Sequence, residues 1–159
     1  KLCMDLNKKY VLFSKAFNVQ VKNYPLAKES IDKLRDRGID IELVELKGYT
    51  RQQVVWLMNA CDCALMTSFN EGSPQFIKEA LACNCPIVST DVGDVKEIIT
   101  DLPDCYITEF DVEETARKIE KCLAVNDDVS NNMRRNKIVT KYEQQIIVQK
   151  IKMLYMTVL

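Results

Sequence analysis

The 159-residue chain reads as an α/β domain with a doubly wound, Rossmann-like open parallel sheet and helices on both faces. Three observations predict this. Short β-branched apolar runs alternate with amphipathic helical stretches, the pattern of successive βαβ units. Helix-start signals of the Ser/Thr/Asp-x-x-Glu/Gln type recur between those runs. Three of the four glycines, Gly48, Gly72 and Gly93, fall just past the second, third and fourth apolar runs, the edge at which such sheets bind ligands.

The first strand is expected at Tyr10 to Phe13. A helix follows from about Pro25 to Arg37, with proline in its first turn, Leu26, Ile31 and Leu34 facing the core, and Gly38 as its stop. Ile41 to Leu46 is the second strand. Thr50 and Gln53 form a capping box for a helix that turns Val54, Leu57 and Met58 inward and ends near Ala60. Cys63 to Thr67 is the third strand. Ser73 is expected to cap the next helix, with Pro74 in its first position, and Asn84 to supply the left-handed exit after Cys83. Ile87 to Thr90 is the fourth strand. Asp94 with Glu97 and Asp111 with Glu114 repeat the capping-box pattern around a short helix, a strand near Cys105 to Ile107, and a helix to about Ala124. Helical periodicity fills the remainder, where Ile146, Ile147, Ile151, Leu154, Tyr155 and Val158 make an apolar stripe that needs a partner surface.

A chain of this length supports one core, so residues 1–159 are read as one domain. The formal net charge of -1 offers no basic field for nucleic acid or an acidic membrane. Seven cysteines without a histidine lie mostly in apolar runs, where a thiol packs as a small hydrophobe, and a reducing, cytoplasmic compartment suits them. Cys61/Cys63 and Cys83/Cys85 are too closely spaced for the usual zinc knuckle, so no metal site is expected. There is no apolar run long enough to span a bilayer and no signal-peptide pattern. The chain opens at Lys1 with a polar stretch, which reads as a cut inside a longer protein.

Chemistry concentrates in Asn70-Glu71-Gly72-Ser73-Pro74, where a strand ends, a carboxylate is presented and a helix begins. Amide N–H groups of Gly72, Ser73, Gln75 and Phe76 at a helix N-terminus form an anion site of the kind that takes a phosphate. Glu79, on the border of that helix's buried stripe, leans back toward the same N-terminus. Two carboxylates beside a phosphate pocket suit a ligand that also carries hydroxyls, because an ionised carboxylate accepts hydrogen bonds from a diol. The plain alternative is a loop acid and a helix-favouring surface residue.

The run from Glu71-Gly72-Ser73-Pro74 through Glu79-Ala80-Leu81-Ala82-Cys83 and on to Pro86-Ile87-Val88-Ser89-Thr90-Asp91-Val92-Gly93 decides between them. It resembles the C-terminal, donor-binding domain of the family 4 retaining glycosyltransferases of the GT-B fold. Tyr10 to Tyr24 and Asn59-Ala60-Cys61-Asp62 extend the likeness over nearly the whole chain. The resemblance implies that Glu79 binds the ribose hydroxyls of a nucleoside-diphosphate sugar. It implies that Glu71 is the catalytic carboxylate facing the reacting sugar, and that the Gly72 and Ser73 amides contact sugar or diphosphate. Lys22 matches the family's diphosphate-binding lysine. The family's arginine falls at Ala16, which leaves Lys15 as its substitute and weakens the clamp, since an ammonium is a point charge and not a fork. Gly48 and Tyr49 would flank the base.

The family resemblance further implies transfer with retention at the anomeric carbon and no cofactor or required metal. It implies an acceptor-binding N-terminal domain of the same protein as partner, and no nucleic acid. Surface polysaccharide or glycolipid synthesis in a bacterium is the implied pathway. The implied location is the cytoplasm, at the inner face of the membrane only through contacts of that other domain. A non-enzymatic doubly wound signalling or docking module is the alternative, and it predicts no nucleotide affinity. A dinucleotide fold is disfavoured, because no G-x-G-x-x-G follows the first strand.

Overall fold

The computed structural model of the chain describes residues 5, 7–15, 17–124, 132–143, 146–151 and 153. Strands β1 (Lys9–Phe13), β2 (Ile41–Glu45), β3 (Cys63–Met66), β4 (Ile87–Thr90) and β5 (Cys105–Thr108) alternate strictly with helices. The helices are α1 (Tyr24–Asp36), α2 (Arg51–Ala60), α3 (Gln75–Ala82), α4 (Val95–Ile99) and, after the last strand, α5 (Val112–Leu123) and α6 (Met133–Tyr142). All pairings are parallel, in the order β2-β1-β3-β4-β5, which bears out the expected doubly wound sheet. The chain moves outward from β1 in both directions, so the topological switch point lies between β1 and β3. Sheets of this kind bind ligands at that point, at the carboxyl ends of the strands.

Side-chain alternation along the strands explains the two cores. Val11 and Phe13 face α1 and α5, packing with Ala27, Ile31, Leu34, Ala116 and Ile119. Tyr10 and Leu12 face the opposite side and pack with Leu57 and Met58 of α2, Ile77, Ala80 and Leu81 of α3, Val95 and Ile98 of α4 and Ile138 of α6. Central β3 and β4 are buried along their whole length, as strands covered on both faces must be. Buried Arg134 on α6 ties the last helix down, donating to the carbonyls of Asn84 and Pro103 and to Asp104 Oδ2 at 3.0 Å.

Most local signals are realised. Gly38 closes α1 in the left-handed region at φ +85, donating to the Arg35 carbonyl, and Asn84 closes α3 at φ +66. The Thr50/Gln53 capping box forms, and Asp111 Oδ1 accepts from the Glu114 amide at 2.7 Å. Two expected caps do not form. α3 begins at Gln75 with Pro74 as an N-cap that offers no side chain, and Asp94 precedes α4 without capping it. The hydroxyl of Ser73 and the carboxylate of Asp94 are instead bonded to each other. Each found a tertiary partner in place of a local amide.

The cysteines are free thiols in or near the core, with the Sγ atoms of Cys61 and Cys85 3.4 Å apart; Cys3 lies outside the described residues. Of the terminal apolar stripe, Ile147 and Ile151 are exposed, while Leu154, Tyr155 and Val158 lie outside the described residues. Among the described residues no helix is long and apolar enough to cross a membrane.

Candidate functional site

The crevice is built by the loops leaving β1, β3 and β4. Thr67, buried at the end of β3, shares its hydroxyl between the carbonyls of Lys22 and Asn23, at 2.8 and 2.9 Å. The Phe69 amide donates to the Val21 carbonyl at 2.9 Å. These bonds lay the short 3-10 turn Gln20–Lys22 against the segment that carries Glu71. The consequence is a direct ion pair: Lys22 Nζ donates to Glu71 Oε1, and Ser68 Oγ donates to the same oxygen at 2.8 Å. Both charged side chains are largely withdrawn from solvent, at 17% and 16% exposure, which makes this pair less screened than a surface bridge.

The β4–α4 loop buttresses the other side. Thr90 Oγ1 donates to the Ser68 carbonyl at 2.7 Å, and the Asp94 amide donates to the Gly72 carbonyl at 3.1 Å. Gly93 sits at φ +59, and a Cβ there would lie 2.0 Å from the Gly72 carbonyl oxygen. Only glycine permits that approach. Ser73 is held by Asp94 and receives a 2.5 Å hydrogen bond from Lys78 Nζ. Among the described residues no hydrogen bond engages the loop amides of Gly72 and Ser73 or the first amides of α3, Gln75 and Phe76, so all four keep their donors.

Glu79 lies one turn further along α3, about half exposed, with Arg51 of α2 4.0 Å from its Oε1. Gly48 (φ +76) and half-exposed Tyr49 lie in the β2–α2 loop, ahead of Arg51. Lys15 is exposed, and no ion pair joins it to another candidate residue; neighbouring Ala16 is outside the described residues. The geometry thus unites Lys22 with Glu71 and Ser73 with Asp94, and brings Arg51 to Glu79. Arg51, Ser68 and Asp94 escaped sequence reasoning as members of this site. Arg51 and Glu79 carry opposite charge, but nothing in a linear sequence pairs them across two elements.

An open parallel sheet of order β2-β1-β3-β4-β5, covered by helices on both faces, is the Rossmann-like α/β domain of the GT-B glycosyltransferase fold. A sequence model of the family described as "Glycosyl transferases group 1" matches residues 9–125, and the chain belongs to that family. A comparison with curated protein sequences found no match.

Solved structures share the fold at low identity. Sucrose-phosphate synthase from Thermosynechococcus elongatus superposes with a TM-score of 0.78 at 14% identity, covering 98% of this chain and 46% of that one. HepE from Anabaena, in complex with UDP and glucose, gives 0.72 at 16%, covering 95% and 49%. S. aureus TarM, in complex with Fondaparinux, alpha-GlcNAc-glycerol and UDP, gives 0.69 at 22%, covering 94% and 36%. The chain therefore spans about half or less of the length of these three neighbours.

Proposed function

We propose that this chain is the donor-binding domain of a retaining glycosyltransferase and holds a nucleoside-diphosphate sugar in the β1/β3 crevice. The observation that carries the reading is the Lys22–Glu71 pair, set beside the unengaged amides at the start of α3. An ammonium has three N–H donors, so Lys22 can keep Glu71 and still donate to a phosphate oxygen. The diphosphate would lie between Lys22 and the amides of Gly72 and Ser73, with Lys15 at its outer side. Glu79 would accept from the ribose hydroxyls, and Gly48 and Tyr49 would flank the base. UDP in the structures of HepE and TarM supports a nucleotide ligand in this fold.

In the proposed reaction the bond from the anomeric carbon to the diphosphate breaks, and the diphosphate leaves with the electron pair. The acceptor hydroxyl forms the new bond on the same face and passes its proton to the departing diphosphate oxygen. Lys22 and the α3 amides would stabilise the negative charge that develops on the leaving oxygen, a task that then needs no metal ion. Glu71, turned toward the sugar, supports positive charge at the reacting carbon. The acceptor would be bound by a second, N-terminal domain of the same protein. Cytoplasmic assembly of a bacterial surface polysaccharide or glycolipid is the pathway this reading favours, with any membrane contact made by that other domain.

Two measurements test the reading. Calorimetric titration with UDP, GDP and their sugar conjugates, with and without EDTA, should give saturable binding that survives chelation. Absence of binding for every nucleotide would sink it. Product formation by this chain should be at background when the full-length protein turns over the same donor and acceptor, because half a cleft neither completes the acceptor site nor excludes water.

A further inference from the structure

Among the described residues, Phe69 and Phe110 are the two exposed phenylalanines, at 58% and 55% exposure, and they lie against each other with ring centroids 5.4 Å apart and planes 31° apart. Both stand on rigid backbone. Phe69 follows the Thr67 anchor and its amide is bonded to the β1–α1 loop. Phe110 sits between β5 and α5, where Thr115 Oγ1 lies 3.0 Å from Thr108 Oγ1 and donates to the Asp111 carbonyl at 2.7 Å. Two aromatic rings held in solvent by fixed loops are a preorganised contact surface, because a ring with two side-chain torsions loses little entropy on binding.

Position and composition identify the occupant. Gly48, Tyr49, Arg51 and Glu79 belong to the α2/α3 side of the sheet. Phe69 instead opens a largely apolar cleft of about 380 Å³ with Phe17 and Tyr24, bordered by Asn18, Gln20 and Asn23, all from the β1–α1 loop and the start of α1. Phe110 leads into α5 on that same face. The Lys22–Glu71 pair lies between the two sides, and Phe69 precedes Glu71 by only two residues. A pyranose ring has an apolar C–H face and a rim of hydroxyls, and aromatic rings bordered by amides answer both. A polyanion would require cations here, and a lipid chain would leave the amides unpaired.

We infer that Phe69 and Phe110, with the amide-bordered cleft beside them, form a stacking platform for a saccharide ring of the acceptor, across the Lys22–Glu71 pair from the donor. The inference rests on the donor reading above and extends it to the second substrate. Saturation-transfer NMR on this chain tests it, with methyl α-glucopyranoside and its 2-acetamido analogue as probes and UDP affinity measured in parallel. Signal on the ring C–H protons should fall about five-fold or more in Phe69→Ala and Phe110→Ala, persist in Phe110→Trp, and leave UDP affinity within about two-fold. A chain that binds UDP yet gives no saccharide signal, or gives equal signal in Phe110→Ala, overturns the platform. So does a shift from dimer to monomer in Phe110→Ala by sedimentation with unchanged saccharide contact, which would make the pair a self-association surface. Saccharide signal that depends on Phe110 in a chain without UDP affinity would sustain the platform and remove the donor reading instead.

Discussion

Lys22 Nζ is bonded to Glu71 Oε1 across 49 positions of sequence. The pair sits where the two loops of the switch point meet, so it is at once a staple between those loops and the charged centre of the crevice. Lys22→Ala removes the cation and leaves Glu71 with only the Ser68 hydroxyl. The expected loss of stability in urea unfolding is about 1 to 3 kcal/mol, below that of a fully buried pair because some solvent reaches both groups. Lys22→Ala/Glu71→Ala should recover part of it. Nucleoside-diphosphate affinity should fall in Lys22→Ala and fall less in Lys15→Ala; equal affinity in all three proteins would remove Lys22 from the phosphate site.

Glu79 is half exposed and loosely held by Arg51 at 4.0 Å, so its replacement should cost binding and not folding. Glu79→Gln is expected to weaken nucleoside-diphosphate binding by about 1 to 3 kcal/mol, the range for a hydrogen bond to a charged group. Calorimetry measures it, with circular dichroism as the fold control. Unchanged affinity would return Glu79 to the role of a surface helix residue.

Gly93→Ala places a methyl carbon where the Gly72 carbonyl oxygen already lies, at a backbone angle that L side chains rarely adopt. Backbone meets backbone here, so no flexible side chain can yield. The expected cost is at least about 3 kcal/mol, at the large end for single substitutions, with nucleotide affinity lost as the 71–73 loop is displaced. A variant with wild-type melting temperature and affinity would contradict the loop contact.

Burial pushes the Cys105 thiol up to about 12 from its ordinary 9.0. The Cys61 contact and burial raise Cys85, and the Cys122 contact and burial raise Cys63. The unfolded chain then releases these protons at lower pH than the folded one. Their contribution is fully present below about pH 9 and is lost as pH climbs from there through the folded values. Urea midpoints should hold through neutrality and decline above pH 9. A disulfide-exchange reagent at pH 8 should react with buried Cys63 and Cys85 only at the rate of unfolding. Rapid stoichiometric labelling of those two in the folded state would refute this.

The legible parts of the fold were those with local causes. Strand positions came from β-branched runs, α1 from Pro25 and Gly38, α2 from the Thr50/Gln53 box, and each was realised within a residue or two. The caps expected of Ser73 and Asp94 failed for a single reason. A side chain that can bond its own helix amide can equally bond a neighbour brought close by folding, and here each took the other. Glu71, Gly72 and Ser73 could be picked out as candidates because their motif is contiguous at a recognisable strand end, and Lys22 only through the resemblance to a known family.

By itself, then, the sequence determined the alternation of strands and helices, the parallel sheet, and the edge at which chemistry gathers, because hydrophobic period and turn residues act over a few positions. Only the tertiary structure decided that Lys22 neutralises Glu71, that Arg51 approaches Glu79, that Gly93 must lack a side chain, and that Phe69 meets Phe110. Those relationships depend on which strand ends adjoin at the switch point, and strand order is settled by packing two faces of one sheet, which no local spacing encodes.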